Sequence, residues 1–250
     1  MTKNDHLSDL FERAVLYMEH VLASLAKKVP PPKMQPISDG HVFRFTEKTL
    51  QQAIVQKLAR IISAIRASEV LLNAGFLQEL GALQRQIDEA CEDVSFLALG
   101  SREDALPERH RKFLDAFYGE EIVGGKSSGK PDVRKAEVPR QKIRAYIAEN
   151  SGKGINQNLM IETGKTLHKA YSGYVHGASH TIMEIYGGNP ARFHVRGMGG
   201  SITQISFRSS MFNYYFRAFM TFYMSLVAFD LTPDEGLKQL LGEFDKVAGS

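Results

Sequence analysis

The chain contains a single cysteine, Cys91, in 250 residues. One cysteine cannot form an intramolecular disulfide, and it cannot supply the ligands of a cysteine-rich zinc or iron–sulfur site. The N-terminal stretch also lacks a basic segment followed by an apolar segment, so the sequence shows no secretory signal. Both features favour the reducing environment of the cytoplasm, and we predict a cytoplasmic protein.

Excess charge of one sign is also small, because the formal net charge is +3 at pH 7. A charge this mild does not by itself indicate a nucleic-acid-binding protein. The most hydrophobic stretch, residues 207–229, is interrupted near its centre by Arg217, and an arginine there would cost roughly 2.5–3.5 kcal/mol to insert into a bilayer. We therefore expect a central core helix rather than a membrane span. The candidate partners of its arginine are Glu89, Glu92 and Glu184.

Helical periodicity is what the chain has in quantity. Apolar residues recur at three- and four-residue steps through most of its length, which predicts a mostly α fold, a single helical bundle. Apolar and polar residues alternate at 192–196 and again at 202–207, with glycines between them that can form a turn, which predicts a small β-hairpin near 192–206. A break is expected near Gly75, and one continuous helix is expected from 156 to 186. We treat residues 1–250 as a single α-helical domain, which comprises an N-terminal helix (1–29), a connector (30–46), a mobile basic loop (122–137) and the central core helix (207–229).

Residues 122–137 have few apolar side chains, which is typical of a mobile loop. The loop matches part of the phosphate-binding P-loop pattern, but Pro131 stands where a serine or threonine should bind magnesium, so we reject the match. The loop and the helix after it carry a local excess of positive charge, which is either simply solvated or available to contact a phosphate backbone. The candidate RNA- and phosphate-binding residues are Lys126, Lys130, Arg134, Lys135, Arg140, Lys142, Arg144 and His194.

Residues 165–194 hold four of the eight histidines. In a continuous helix, every fourth position from 168 to 184 would lie on one ridge that can bind a metal ion. The glutamate that serves as a base in the H-E-x-x-H motif is absent, because Gly177 occupies its position. We therefore predict no metal and no cofactor, and a metal-dependent hydrolase stays as an alternative. Its ligands would be His176, His180 and Glu184.

Two glycines flank the middle histidine of this stretch. Gly173 and Gly177 would each cost about 1 kcal/mol relative to alanine inside a helix, which indicates that another helix or a ligand approaches closely. A histidine in such a groove can be a general acid or base, because its unperturbed pKa is about 6.5. Hydrogen-bonded packing at a helix crossing is the alternative. On an earlier helix, Arg85 and Glu89 form an i,i+4 pair that is either solvated or faces a site.

Four short segments carry a family resemblance. They are Arg85-Gln-Ile-Asp-Glu89, Tyr171-Ser-Gly-Tyr-Val-His176, Tyr186-Gly-Gly-Asn-Pro and Arg192-Phe-His194. Together they resemble bacterial helical proteins related to the HEPN superfamily, over about 50–229. The resemblance implies a helical bundle that forms a homodimer and acts as a metal-independent endoribonuclease in bacterial defence or stress response. In that superfamily an arginine precedes the catalytic histidine by four to six residues, and no arginine occupies those positions before His176.

By this resemblance His176 is the catalytic or vestigial histidine. Either another cation takes over the role of the missing arginine in stabilising the transition state, or the fold is kept for binding and the nuclease activity is absent. The candidate catalytic residues are His176, Arg85, Arg217, Glu89 and Tyr171. The leading hypothesis is a cytoplasmic homodimer that binds or cleaves RNA, and it predicts that His176→Ala abolishes cleavage. One alternative is a non-catalytic helical module that recruits a protein partner encoded nearby. The other is the metal-dependent hydrolase.

Overall fold

The computed structural model describes residues 3–37, 40–119, 122–123, 126–127, 138–151 and 157–248. The described chain is mostly helical and includes small antiparallel hairpins. The long helices are α1 (Lys3–Ala26), α2 (Leu50–Ala74), α3 (Leu77–Gly100), α6 (Gln157–His176) and α8 (Ile202–Val227). The shorter helices are α4 (Glu108–Phe117), α5 (Arg140–Asn150), α7 (Ser179–Ile182) and α9 (Glu235–Ala248). The strands are β1 (Lys33–Ile37), β2 (Gly40–Arg44), β3 (Ile122–Val123), β4 (Lys126–Ser127), β5 (Tyr186–Gly187) and β6 (Arg192–Phe193).

Helix α3 is the element on which the others assemble. It packs against α2, α5, α6 and α8, and α8 in turn packs against α1 and α2. The side chains of Tyr214, Tyr215, Phe219 and Phe222 on α8 are fully buried. The sequence prediction of a core helix here is thus confirmed, although the helix begins five residues earlier than expected. None of the described helices combines the length and apolarity needed to cross a membrane.

The corner between α2 and α3 lies where the sequence predicts a break. Gly75 has φ +77°, and its N–H donates to Leu72 O while the N–H of Phe76 donates to Leu71 O. This left-handed ending is the one that favours glycine. The following loop packs directly on the corner, because the N–H of Met198 donates to Gly75 O at 2.8 Å.

Gly75→Ala is expected to lower the free energy of unfolding by about 1–2 kcal/mol from the left-handed backbone alone. The loss should be larger in practice, since the added Cβ would lie 2.5 Å from the backbone nitrogen of Gly199. Urea unfolding followed by circular dichroism measures it. Gly199→Ala is the matched control, because a Cβ there meets no atom within 4 Å. Equal effects of the two substitutions would contradict this account of the corner.

The mostly α fold with a small β-hairpin is confirmed, and the hairpin lies earlier than 192–206. Strand β5 pairs with β6, whereas 202–206, expected to be its second strand, is the first part of α8. Two hydrogen bonds favour the helix. The side chain of Ser201 accepts from the N–H of Gln204, and the amide of Gln204 donates to Leu72 O. The N-cap and this buried amide therefore outweigh the alternating pattern.

The expectation of one helix from 156 to 186 is wrong. Helix α6 ends at His176, and Gly177 follows with φ +62°. The N–H of Ala178 donates to Gly173 O at 2.9 Å, which is the hydrogen bond of a helix-terminating turn. Gly177 therefore ends the helix and does not mark a close approach. The ridge of histidines expected from a continuous helix does not form, because α6 ends at His176 and α7 is a separate helix.

The close approach expected at Gly173 is confirmed, and the chain's own next turn makes it. A Cβ on Gly173 would lie 2.8 Å from Cγ2 of Thr181. The hydroxyl of Thr181 donates to Gly173 O at 3.0 Å. A second glycine brings α6 close to α3, since a Cβ on Gly81 would lie 2.6 Å from the ring of Tyr174. This tight packing places the C-terminal part of α6 beside α3.

Candidate functional site

A cavity of about 290 Å³ lies between α3, α5, α6 and α8. Its wall is apolar where α5 and α8 contribute Ile147, Met220 and Met224. Six charged side chains also reach it: Arg85, Asp88, Glu89, Glu92, Arg144 and Arg217. A mostly apolar pocket with a few convergent polar groups is the usual form of a binding or catalytic site.

Helix α3 supplies four of these charges from one face. Residues 85, 88, 89 and 92 follow the i, i+3, i+4, i+7 spacing of a single helix side. The Nε atom of Arg85 lies 3.0 Å from Oε1 of Glu89, so the predicted i,i+4 pair forms. The pair lines the cavity, which agrees with the interpretation that it faces a site.

Arg217 reaches the cavity from α8. Its Nη1 lies 2.7 Å from Oδ1 of Asp88, and its guanidinium carbon lies 4.5 Å from the ring centre of Tyr214. The partner is thus Asp88, and the expectation of a glutamate partner is wrong. Asp88 precedes Glu89 by one residue, which turns it about 100° around α3, towards α8.

Asp88 has the chemistry of a proton-transfer group. Burial raises its pKa to about 6, the positive charge of Arg217 opposes this shift, and the nearby carboxylates of Glu92 and Glu89 add to it. Burial also raises the pKa of Glu92, against the hydrogen bond from Arg144. A carboxyl group that titrates near neutral pH in a cleft is a functional-site candidate. Burial raises the pKa of the adjacent Cys91 thiol to about 12, so that group stays protonated.

Helix α5 is attached to α3 by two arginines from the predicted phosphate-binding set. The Nε atom of Arg144 lies 2.7 Å from Oε1 of Glu92, and its side chain is only 10% exposed. Arg140 donates to both carboxylate oxygens of Asp93, and Lys57 from α2 lies 2.7 Å from the same carboxylate. These contacts orient Arg144 into the cavity. Both arginines are therefore engaged within the protein.

The other members of the phosphate-binding set have different positions. Lys142 is exposed on α5. Lys126 lies in β4, which pairs with β3. Lys130, Arg134 and Lys135 lie outside the described residues, as does most of the predicted loop at 122–137. His194 follows β6 and is half-buried, and its Nε2 donates to Gly187 O at 3.1 Å.

His176 is exposed at the C-terminal end of α6 and is not among the described residues that line the cavity. Tyr171, five residues earlier on the same helix, does line it. Four of the five predicted catalytic residues are therefore brought together, namely Arg85, Glu89, Tyr171 and Arg217. The structure separates them from the fifth, His176.

The alternative metal ligands are also dispersed. His180 and Glu184 are exposed, and the carboxylate of Glu184 accepts a hydrogen bond from the hydroxyl of Tyr174 at 2.7 Å. Within the described ranges, no group of three or more His, Cys, Asp or Glu side chains is arranged to bind a metal ion. The turn at Gly177 explains the dispersal, because it ends α6 and breaks the four-residue spacing of a continuous helix.

Sequence reasoning missed Asp88 and the inward role of Arg144. A signal for the first was available, since the charges at 85, 88, 89 and 92 share one face of the helix. Arg144 had no such signal, because its partner lies on another helix. Comparison with protein-family models, curated proteins and solved structures finds no match to this chain. The fold and the cavity together define a mostly α protein with a charged internal site.

Proposed function

We propose that this protein binds RNA and that the cavity is where a phosphodiester of the bound strand is held and cleaved. The observation that carries the proposal is the convergence of Arg85, Arg217 and Tyr171 around Asp88 in one cavity. The resemblance to the HEPN superfamily supplies the substrate class. It also places the proposed activity in bacterial defence or stress response, in the cytoplasm.

The arginines provide the anion-binding part of the proposed site. A guanidinium group carries five N–H donors in a fixed fork that matches phosphate oxygens. Asp88 lies against one terminal nitrogen of Arg217, so further donors of that group can bind a phosphate. Guanidinium groups placed around the phosphate stabilise the negative charge that develops in the transition state.

Asp88 provides the proposed proton transfer. Its carboxylate accepts the proton of a ribose 2′-hydroxyl while the 2′-oxygen attacks phosphorus and the bond to the 5′-oxygen breaks. The leaving 5′-oxygen takes a proton from the hydroxyl of Tyr171, which recovers one from Asp88 through solvent. The products are a 2′,3′-cyclic phosphate and a 5′-hydroxyl. Every step uses side chains of this chain.

The test compares wild type with Asp88→Asn on a fluorescently labelled single-stranded RNA of mixed sequence. Cleavage by wild type that the variant loses supports the proposal. Purified wild type that neither cleaves this RNA nor binds it at low salt would overturn it. Cleavage that persists in Asp88→Asn and disappears in His176→Ala would place the chemistry at the end of α6 instead.

Binding and cleavage should depend on pH in opposite directions. Below about pH 6 Asp88 becomes protonated, which leaves the three cavity arginines facing two carboxylates in place of three. The affinity for a single-stranded RNA is therefore expected to rise between pH 7.5 and 5.5. The cleavage rate is expected to fall over the same range, because the base is lost. Fluorescence anisotropy measures the affinity, and single-turnover cleavage measures the rate. An affinity and a rate that change in the same direction would contradict the role of Asp88.

A homodimer belongs to the same proposal, because the resemblance implies it. Val195, Ile202 and Ile205 are exposed apolar side chains at and before the start of α8, and an apolar patch of this kind is typical of an interaction surface. Light scattering of the purified protein measures its mass in solution. The alternative to a second copy of the chain on this patch is a protein partner encoded nearby, and copurification with that partner would identify it.

A further inference from the structure

The hairpin of β5 and β6 displays two exposed aromatic rings side by side. Tyr186 and Phe193 are directly opposite each other in the strand register. Their ring centres lie 4.8 Å apart, and the two residues are 43% and 48% exposed. An aromatic pair contributes far more to stability when it is buried. Because both rings are partly exposed, the pair is accessible to a binding partner.

The hairpin and the loop after it carry charge of one sign. Residues 185–208 contain three arginines and no aspartate or glutamate. Arg192 and Arg196 are exposed, and neither pairs with a carboxylate in the part of the chain that the structure describes. A surface that combines aromatic faces with unpaired guanidinium groups complements a polyanion that has flat, stackable groups.

Hydrogen bonds hold the hairpin and the loop after it in place. His194 donates from its backbone N–H to Ile185 O at 2.7 Å and from its ring to Gly187 O. Four residues later the chain is attached to the corner of α2 and α3 through Met198. A rigid platform loses little conformational entropy when a ligand binds.

We propose that Tyr186 and Phe193, with Arg192 and Arg196, form a stacking platform for single-stranded RNA. The rings stack on bases, and the arginines contact the phosphates between them. The choice of RNA rests on the proposed function, for which the platform supplies affinity while the cavity supplies chemistry. A protein partner would also cover the two rings. The polyanion is favoured because 185–208 contain no acidic residue and because Arg192 and Arg196 have no carboxylate partner among the described residues.

The first test measures the affinity for a fluorescein-labelled single-stranded RNA of twelve nucleotides. Asp88→Asn serves as the background, so that the probe stays intact. In this background Phe193→Ala and Tyr186→Ala are each expected to weaken binding by about tenfold, the usual contribution of one stacked base. Phe43→Ala is the matched control, because Phe43 is 59% exposed on the separate hairpin of β1 and β2. It should bind as the background does.

The second test measures the salt dependence of binding. Arg192→Gln together with Arg196→Gln should reduce the slope of log affinity against log salt by about 1–2, because each phosphate contact releases counterions. Lys27→Gln together with Lys28→Gln makes the same charge change on an exposed segment elsewhere and should leave the slope unchanged. Unfolding curves that match wild type show that the hairpin variants are folded.

The outcomes separate the two proposals. Wild type that binds no RNA overturns both. RNA cleavage by wild type, together with RNA binding that is unchanged in the three platform variants, overturns the platform and leaves the cavity proposal in place. Platform variants that bind RNA normally and lose self-association instead would show that a second copy of the chain covers the rings, which also overturns the inference.

Discussion

Asp88→Asn is expected to reduce the single-turnover rate of RNA cleavage by about a hundredfold or more, with RNA affinity at pH 7.5 that is retained or higher than that of wild type. The amide has nearly the same shape as the carboxylate but cannot accept the proton of the 2′-hydroxyl. Binding persists because the arginines of the cavity are retained. Cleavage of a labelled RNA with enzyme in excess isolates the chemical step from product release.

Two comparisons make this result specific to the cavity. Asp245→Asn makes the same chemical change on the exposed side of α9 and should cleave at the wild-type rate. His176→Ala should also retain cleavage if the cavity acts alone, since His176 lies outside its lining. An Asp88→Asn variant that is folded and cleaves like wild type would exclude Asp88 as the base.

Asp93→Ala is expected to lower the free energy of unfolding by about 3–5 kcal/mol, the usual cost of removing one partner from a buried ion pair. Asp93 is 1% exposed and lies 2.7 Å from Nζ of Lys57, and Arg140 binds both of its oxygens. Without the carboxylate, Lys57 loses this counter-charge, and Arg140 keeps the more distant Glu92, whose Oε2 lies 3.8 Å from its Nη1. Urea unfolding followed by circular dichroism measures the loss.

The matched control is Lys238→Ala, which removes an exposed i,i+3 pair with Glu235 on α9. It should change the stability by less than about 0.5 kcal/mol. If Asp93→Ala does not fold, Arg140→Met gives a second measurement, because it removes one of the two cations and leaves Lys57 in place. A loss below about 1 kcal/mol for Asp93→Ala would show that solvent compensates the cations.

The helices and one break were predictable because they depend on local patterns. Apolar spacing specifies which face of a helix is buried, and this holds for α1, α2, α3 and α9 whatever their neighbours are. The corner at Gly75 was predictable for the same reason, since glycine is favoured in a left-handed ending. The polar face of α3 was predictable too, and the structure shows it lining a cavity.

Local signals failed where two of them competed. The alternation at 202–206 favours a strand, and the cap at Ser201 favours a helix. Contacts with α2 through Gln204 settle the competition. At Gly177 the apolar periodicity continues, but the backbone turns because glycine can adopt φ +62°. For these reasons the hairpin lies earlier in the chain than predicted, and the predicted metal ligands do not form one site.

The sequence by itself determined the mostly α fold, the buried faces of the helices and the charged face of α3. Only the tertiary structure decided which charges meet: Arg217 with Asp88, Arg144 with Glu92, and Arg140 with Asp93. The physical reason is distance. An ion pair forms within about 4 Å, and neighbouring positions on a helix point about 100° apart. Small rotations of packed helices therefore choose the partner, and sequence spacing does not encode those rotations.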